Sequence, residues 1–126
     1  YLMDETKNYF KNVEELAKNN QTIITIISFI QANYRDTDLC LENIAENVYL
    51  SPNYLSSLFK KKMDKTISQY IADVRVQHAR ELLRDRSLKL YDVAVQAGYK
   101  DANYFTKIFK KAVGVTPSEY REKYNI

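Results

Sequence analysis

Turn-making residues are scarce in this sequence: two glycines and two prolines in 126 positions. That scarcity argues against many short strands and favours long helices. The single cysteine, Cys40, excludes an internal disulfide and suits a reducing, cytoplasmic compartment. No apolar run approaches the roughly 18 residues that span a bilayer, so no membrane partner is expected. The densest run, Ile23 to Ile30, is short and contains Thr25 and Ser28. No signal peptide is visible. The chain begins with Tyr1 rather than Met and is expected to be a piece of a longer protein. One histidine, His78, and one cysteine cannot build a metal centre. No Gly-rich phosphate loop is present, and His78 has no Ser or Cys nucleophile beside it in a recognisable motif. Neither a cofactor nor an enzymatic activity is expected.

The residues that are present describe a globular domain, 45% hydrophobic and 28% charged. At this length a core needs no metal or disulfide to hold it. The net charge of +3 is unevenly spread. Residues 1–50 carry four basic and eight acidic side chains, a net of −4, whereas residues 51–126 carry fifteen and eight, a net of +7. A basic half suits a polyanionic partner, although a plainly solvated surface would read the same way.

Tyr9, Val13, Leu16, Asn20, Ile23, Ile27, Ile30 and Tyr34 alternate in steps of four and three, which makes a helical seam. Asn19-Asn20-Gln21-Thr22 reads as a break in it. The expectation is an arm helix over residues 1–21, linking to a missing upstream domain, and a domain over residues 22–126. The arm seam either pairs two chains into a homodimer, packs on the upstream domain, or packs on its own core.

Beyond the arm the sequence repeats itself. Asn53-Tyr54-Leu55-Ser56-Ser57-Leu58-Phe59-Lys60-Lys61 aligns with Asn103-Tyr104-Phe105-Thr106-Lys107-Ile108-Phe109-Lys110-Lys111. Ile44-Ala45 aligns with Val93-Ala94 upstream, and Thr66 with Thr116 downstream. Each copy is a short helix, a turn, a second helix and a capped exit, over about 41–63 and 90–113. Ser51-Pro52 is an N-cap followed by Pro at the first helical position, with Asp101 in the matching place. Thr66-Ile67-Ser68-Gln69 and Thr116-Pro117-Ser118-Glu119 are capping boxes. From Thr66 to about Asp85 one long helix joins the copies, with Ile67, Ile71, Val74, Ala79, Leu82 and Leu83 on its apolar side.

The second helix of each copy divides into two stripes. Leu55, Leu58 and Phe59 form one apolar stripe, and Phe105, Ile108, Phe109 and Ala112 the other. Opposite lie Asn53, Ser56, Ser57 and Lys60 in the first copy and Asn103, Thr106, Lys107 and Lys110 in the second. A solvated helix face is usually rich in Glu and Lys. These faces start with short hydrogen-bonding residues and end in lysines. A major-groove reader needs small polar groups close to base edges and cations beside them for phosphates. The helix N-termini offer further N–H groups to phosphate. RNA fits less well, because the tyrosines sit at core-like positions and leave no stacking surface. A helical protein-interaction or dimerisation module without direct DNA readout is the alternative.

The residues that settle a resemblance are Ile44-Ala45, Ser51-Pro52-Asn53-Tyr54-Leu55-Ser56, Phe59-Lys60-Lys61, Tyr70-Ile71, and Arg75 with Ala79 and Leu82-Leu83. To these add Val93-Ala94, Gly98-Tyr99, Tyr104-Phe105-Thr106, Phe109-Lys110-Lys111, Gly114-Val115-Thr116-Pro117 and Tyr120-Arg121. Over residues 23–124 the chain resembles the DNA-binding half of the AraC/XylS transcription regulators. The resemblance implies an all-α fold of about seven core helices plus the arm, with two helix-turn-helix lobes on a long central helix. It implies sequence-specific binding of double-stranded DNA through two successive major grooves, and regulation of transcription, commonly activation, with RNA polymerase as a further partner. Carried over by position, the base-contact candidates are Asn53, Ser56, Ser57, Ala102, Asn103, Thr106 and Lys107. The phosphate candidates are Lys60, Lys61, Lys110, Lys111 and Arg75, and Arg75 is as readily a structural residue paired with an acid. An upstream sensory or receiver domain would supply the input, and a helical arm suits the receiver domain of a two-component system. Three features depart from the pattern. Asp64 stands where Gly is usual, which Asp tolerates. Cys40 and Lys89 stand where Ser or Thr often caps, so weaker caps, or caps from Asp38 and Ser87, are expected. Ser56 and Ser57 are short, so the second copy is expected to dominate base selectivity.

Overall fold

The chain's structure, a computed structural model, describes the backbone of residues 2–124 and the side chains of residues 18–124. Among the described residues it is all-helical: α1 (Leu2–Asn33), α2 (Leu41–Asn47), α3 (Pro52–Met63), α4 (Ile67–Leu82), α5 (Leu90–Gln96), α6 (Ala102–Val113) and α7 (Pro117–Lys123).

The expected break at residues 19–22 is absent, because α1 runs through it. Thr22 and Thr25 donate their hydroxyls to the carbonyls of Lys18 and Gln21, both at 3.0 Å, so neither hydroxyl caps a new helix start. Burial of Ile23, Ile26 and Ile30 holds this end of the helix on the core. The buried seam differs from the expected one at its centre: Ile26 is fully buried, whereas Ile27 is only partly so. The seam positions Tyr9, Val13 and Leu16 lie outside the described side chains.

Two separate cores follow from this order. The first gathers Ile26, Ile30, Ile44, Leu55, Phe59, Ile67, Ile71 and Val74 from α1–α4. The second gathers Val76, Ala79, Leu83, Val93, Phe105 and Phe109 from α4–α6, with Tyr120 of α7 against it. α4 therefore belongs to both lobes. Up to Val74 it faces the first core, and from Val76 onward the second. It has 16 residues rather than the 20 expected, about 24 Å at 1.5 Å per residue. Its length alone falls short of the roughly 34 Å of one DNA turn.

The caps are short-range and largely as read. Ser51 Oγ accepts from the N–H of Tyr54, Thr66 Oγ1 from that of Gln69 and Thr116 Oγ1 from that of Glu119. Gln69 and Glu119 return the bond to the N–H of Thr66 and Thr116. α2 and α5 do start at Cys40 and Lys89, but their caps come from inside the helix. Asn43 accepts from the N–H of Cys40 at 3.0 Å, and Asp92 from that of Lys89 at 2.9 Å. Neither Asp38 nor Ser87 caps; instead their N–H groups donate to Asp36 and Asp85, each at 2.9 Å, in matching turns.

The helix-turn-helix turns also match. Leu50 and Tyr99 donate backward to the carbonyls of Ala45 and Ala94 at 3.0 and 2.9 Å. The residue before each is left-handed: Tyr49 at φ 59° in the first lobe and Gly98 at φ 104° in the second. Asp64, at φ 56°, takes the left-handed exit of α3 that Gly114 takes in α6.

Candidate nucleic-acid interface

The two hydrophilic ridges stand clear of the cores. On α3, Asn53, Ser56, Ser57, Lys60 and Lys61 are exposed, while Leu55, Leu58 and Phe59 are buried beneath them. On α6, Asn103, Lys107, Lys110 and Lys111 are exposed over buried Phe105 and Phe109. Ala102 and Thr106 are half-buried at the edge of that ridge. Ala112, expected in the apolar stripe, is exposed instead, because the stripe runs on from Phe109 to Val113, which packs against the second core.

The side chains differ in what they have left to offer a ligand. Thr106 Oγ1 donates to the carbonyl of Ala102 at 2.9 Å, so its hydroxyl hydrogen is used within the helix. Its methyl and oxygen lone pairs remain. Lys60 reaches the carbonyl of Asp64 at 3.4 Å and neutralises the negative end of its own helix. The start of α6 is not open to phosphate, as free N–H groups there would have allowed. Asp101 takes the N–H groups of Asn103 and Tyr104 at 2.8 and 3.3 Å, and its carboxylate repels an anion. Ser51, the neutral cap of α3, carries no such charge.

Arg75 goes elsewhere. It is half-buried on α4, donating Nε to the carbonyl of Tyr34 at 2.9 Å and Nη2 to that of Asp36 at 2.8 Å. Its guanidinium lies 5.3 Å from the ring centre of Tyr99. Burial presses its pKa down from the usual arginine value, and burial raises that of Tyr99. Both committed nitrogens bond to main-chain carbonyls rather than to an acid, and neither projects from a ridge. Arg121 on α7 makes the same fork in the second lobe, to the carbonyls of Leu83 at 3.0 Å and Asp85 at 2.9 Å. His78 is a packing residue, stacked on Tyr34 at 3.9 Å with the rings 5° from parallel.

Sequence reasoning missed the tyrosines at the ridges. Tyr54 and Tyr104, read as core-like, are both half-exposed at the third position of α3 and α6. Tyr49 is 93% exposed, and Tyr91 and Tyr124 also face solvent. The signal was in the repeat: Asn-Tyr opens both second helices, next to the reader candidates rather than in the stripe beneath. Among the described residues, no cluster of His, Cys, Asp and Glu forms that could hold a metal, and no helix is long and apolar enough to cross a membrane.

Comparison with known proteins places this geometry. A family model described as a helix-turn-helix domain matches residues 44–123. The melibiose operon regulatory protein of Escherichia coli is 34% identical over 122 residues, which is 96% of this chain and 39% of that protein. The chain spans about two fifths of the length of such curated relatives. The C-terminal domain of the two-component response regulator yesN from Fusobacterium nucleatum aligns with a TM-score of 0.74 at 35% identity, over 87% of this chain and 98% of that one. The C-terminal domain of AraT, a response regulator from Geobacillus stearothermophilus, aligns with a TM-score of 0.79 at 33% identity, over 81% and 84%.

Proposed function

The chain belongs to the AraC/XylS family of helix-turn-helix transcription regulators, as a DNA-binding domain of that family, and from this premise we propose that it reads double-stranded DNA with α3 and α6 in successive major grooves. The observation that carries the reading is the twinning of the two ridges. Each presents Asn, then small hydroxyl residues or lysine, then a lysine pair, above an apolar stripe anchored by buried Leu55 and Phe59 in one lobe and Phe105 and Phe109 in the other. Two unrelated solvated faces have no reason to share that order.

In this reading Asn53, Ser56 and Ser57 face bases in one groove, and Ala102, Asn103, Thr106 and Lys107 in the next. Asn pairs with adenine, Lys with guanine, and the Ala102 and Thr106 methyls suit thymine. Lys60, Lys61, Lys110 and Lys111 hold phosphates, joined by the Tyr54 and Tyr104 hydroxyls. Arg75 is left out of the proposed phosphate set, because its Nε and Nη2 are bonded to main-chain carbonyls away from the ridges. Bound beside a promoter, the domain activates transcription. Its input comes from an upstream domain, and two of the similar solved structures are C-terminal domains of response regulators, which favours a receiver domain there.

Selection from random duplexes, followed by a salt titration, tests this. Two short elements about one helical turn apart are expected. Affinity should fall by roughly 10²-fold between 50 and 200 mM salt for four lysine–phosphate contacts. No retained duplex in dilute buffer would sink the reading.

A further inference from the structure

Among the described residues, the two lobes meet beside α4 at a small junction. Three parts converge on the carbonyl of Tyr34, at the end of α1. Arg75 of α4 donates to it at 2.9 Å. Gly98, in the turn between α5 and α6, lies so close that a Cβ there would sit 2.3 Å from that oxygen and 2.8 Å from Arg75 Nε. The next residue, Tyr99, presents its ring to the same guanidinium. One step further, Lys100 reaches Asp38 of the first lobe at 3.1 Å. Beside the junction the lobes are not packed together. An open cleft of about 480 Å³ separates Leu39 and Cys40 of the first lobe from Tyr104 and Ile108 of the second.

We propose that this Arg75–Gly98 junction determines the spacing specificity of the domain: it fixes α6 relative to α3, so that two DNA elements are accepted at one separation only. The inference rests on the DNA reading above. α4 fixes the axis between the lobes. α6 packs on α4 through the second core, and the turn that launches it has a further seat outside the second lobe, which fixes its angle to α3 more closely than α4 alone. Gly98 and Tyr99 are that turn, and their seat is made of first-lobe backbone. Only a residue without a side chain fits the seat, because it is a carbonyl and a guanidinium bonded to each other. Arg121 supplies an internal control. It makes the same fork of bonds as Arg75, yet both its partners belong to the second lobe, so its loss weakens a lobe without freeing one lobe from the other.

The test uses the selected duplex at its preferred spacing and with one or two base pairs inserted between the elements. One inserted base pair turns the second element by about 34° about the duplex axis. The unaltered protein should lose on the order of tenfold in affinity per insertion, comparable to a mismatched base pair. Gly98→Ala and Arg75→Met should bind the preferred duplex more weakly and lose less than about threefold on insertion, while Arg121→Met keeps the full penalty. Lys100→Glu sets two carboxylates against each other on the surface without touching a core, and should relax spacing in the same direction. Spin labels at Lys61→Cys and Lys111→Cys, with Cys40→Ser, give an independent reading without DNA. The distance distribution should be narrow in the parent and in Arg121→Met, and broad in Gly98→Ala. Spacing penalties and distributions unchanged in Gly98→Ala and Lys100→Glu would overturn the inference and leave the DNA reading intact. So would an unaltered protein that accepts several spacings equally. A protein that retains no duplex would instead overturn the reading on which the inference rests.

Discussion

The two lobes are built to one plan and differ where the plan meets the rest of the molecule. In the first, the helix-turn-helix turn is Tyr49, left-handed and open to solvent; in the second it is Gly98, left-handed and pressed against the first lobe. The first lobe closes its exit helix with Gln69, the second with Glu119. The first ridge carries Ser57 where the second carries Lys107. Internal duplication preserves the features a lobe needs to fold. What varies between the copies is what each lobe shows to its neighbour or to solvent.

The strongest test of equivalence lies in the cores. Phe59 and Phe109 are fully buried at matching positions. Replacing either by Ala should cost about 3–5 kcal/mol. Because α4 feeds both cores, urea unfolding followed by circular dichroism should shift as a single transition in each variant. Two resolved transitions would show that the lobes fold apart. The ridges come next. Asn103→Ala should lose about 1–3 kcal/mol against the preferred base pair. Asn53→Ala should lose less, since its neighbours Ser56 and Ser57 reach less far; equal losses in parallel binding assays would remove the expected dominance of the second lobe. At the turns, Gly98→Ala should destabilise by at least about 1–2 kcal/mol, from the left-handed backbone alone. Tyr49→Gly should be neutral or stabilising by up to about 1 kcal/mol, as relief of that strain offsets the entropy of Gly. Calorimetric melting points moving the same way in both variants would break the contrast.

The smallest effect is one of pH. Backbone and side-chain hydrogen bonds from Thr116 hold the Glu119 carboxyl below its usual value of 4.5. A carboxyl lowered on folding contributes stability above its unfolded pKa and loses it as pH falls through the folded one. Acidification from pH 5 should therefore weaken the second exit helix, while Gln69 in the first cannot titrate. Glu119→Gln should flatten the dependence of the melting temperature on pH in that range. An unchanged slope would mean that the cap contributes nothing measurable.

Features set by neighbours in sequence are legible in the sequence itself. Ser51-Pro52, Thr66 to Gln69 and Thr116 to Glu119 close bonds across three residues, and their side chains declare it. The repeat made the ridges visible, because core and surface positions had to match in both copies. What stayed hidden depends on distant or silent partners. Arg75 finds a main-chain carbonyl 41 residues away, and a carbonyl has no residue type to signal it. The continuity of α1 through Asn19–Thr22 is decided by burial further along, against local polarity that reads as a break. Spacing in steps of three and four also could not separate Ile26 from Ile27, which lie 100° apart on the same broad apolar side. The exposure of Tyr54 and Tyr104 is not legible from aromatic content, because a ring's burial depends on the stripe it stands on.

Val74 and Val76 stand two residues apart on one helix and belong to different cores. On a helix of 3.6 residues per turn that separation is about 200°, nearly opposite faces. The backbone between them acts as a protractor. One residue added there would swing everything downstream by about 100° and shift it by only about 1.5 Å. Drift in the length of this segment is thus an angular error long before it is a linear one. The linker at residues 84–89 lies within the second lobe, so a residue added there would disturb that lobe's own turn without rotating one half of the molecule against the other.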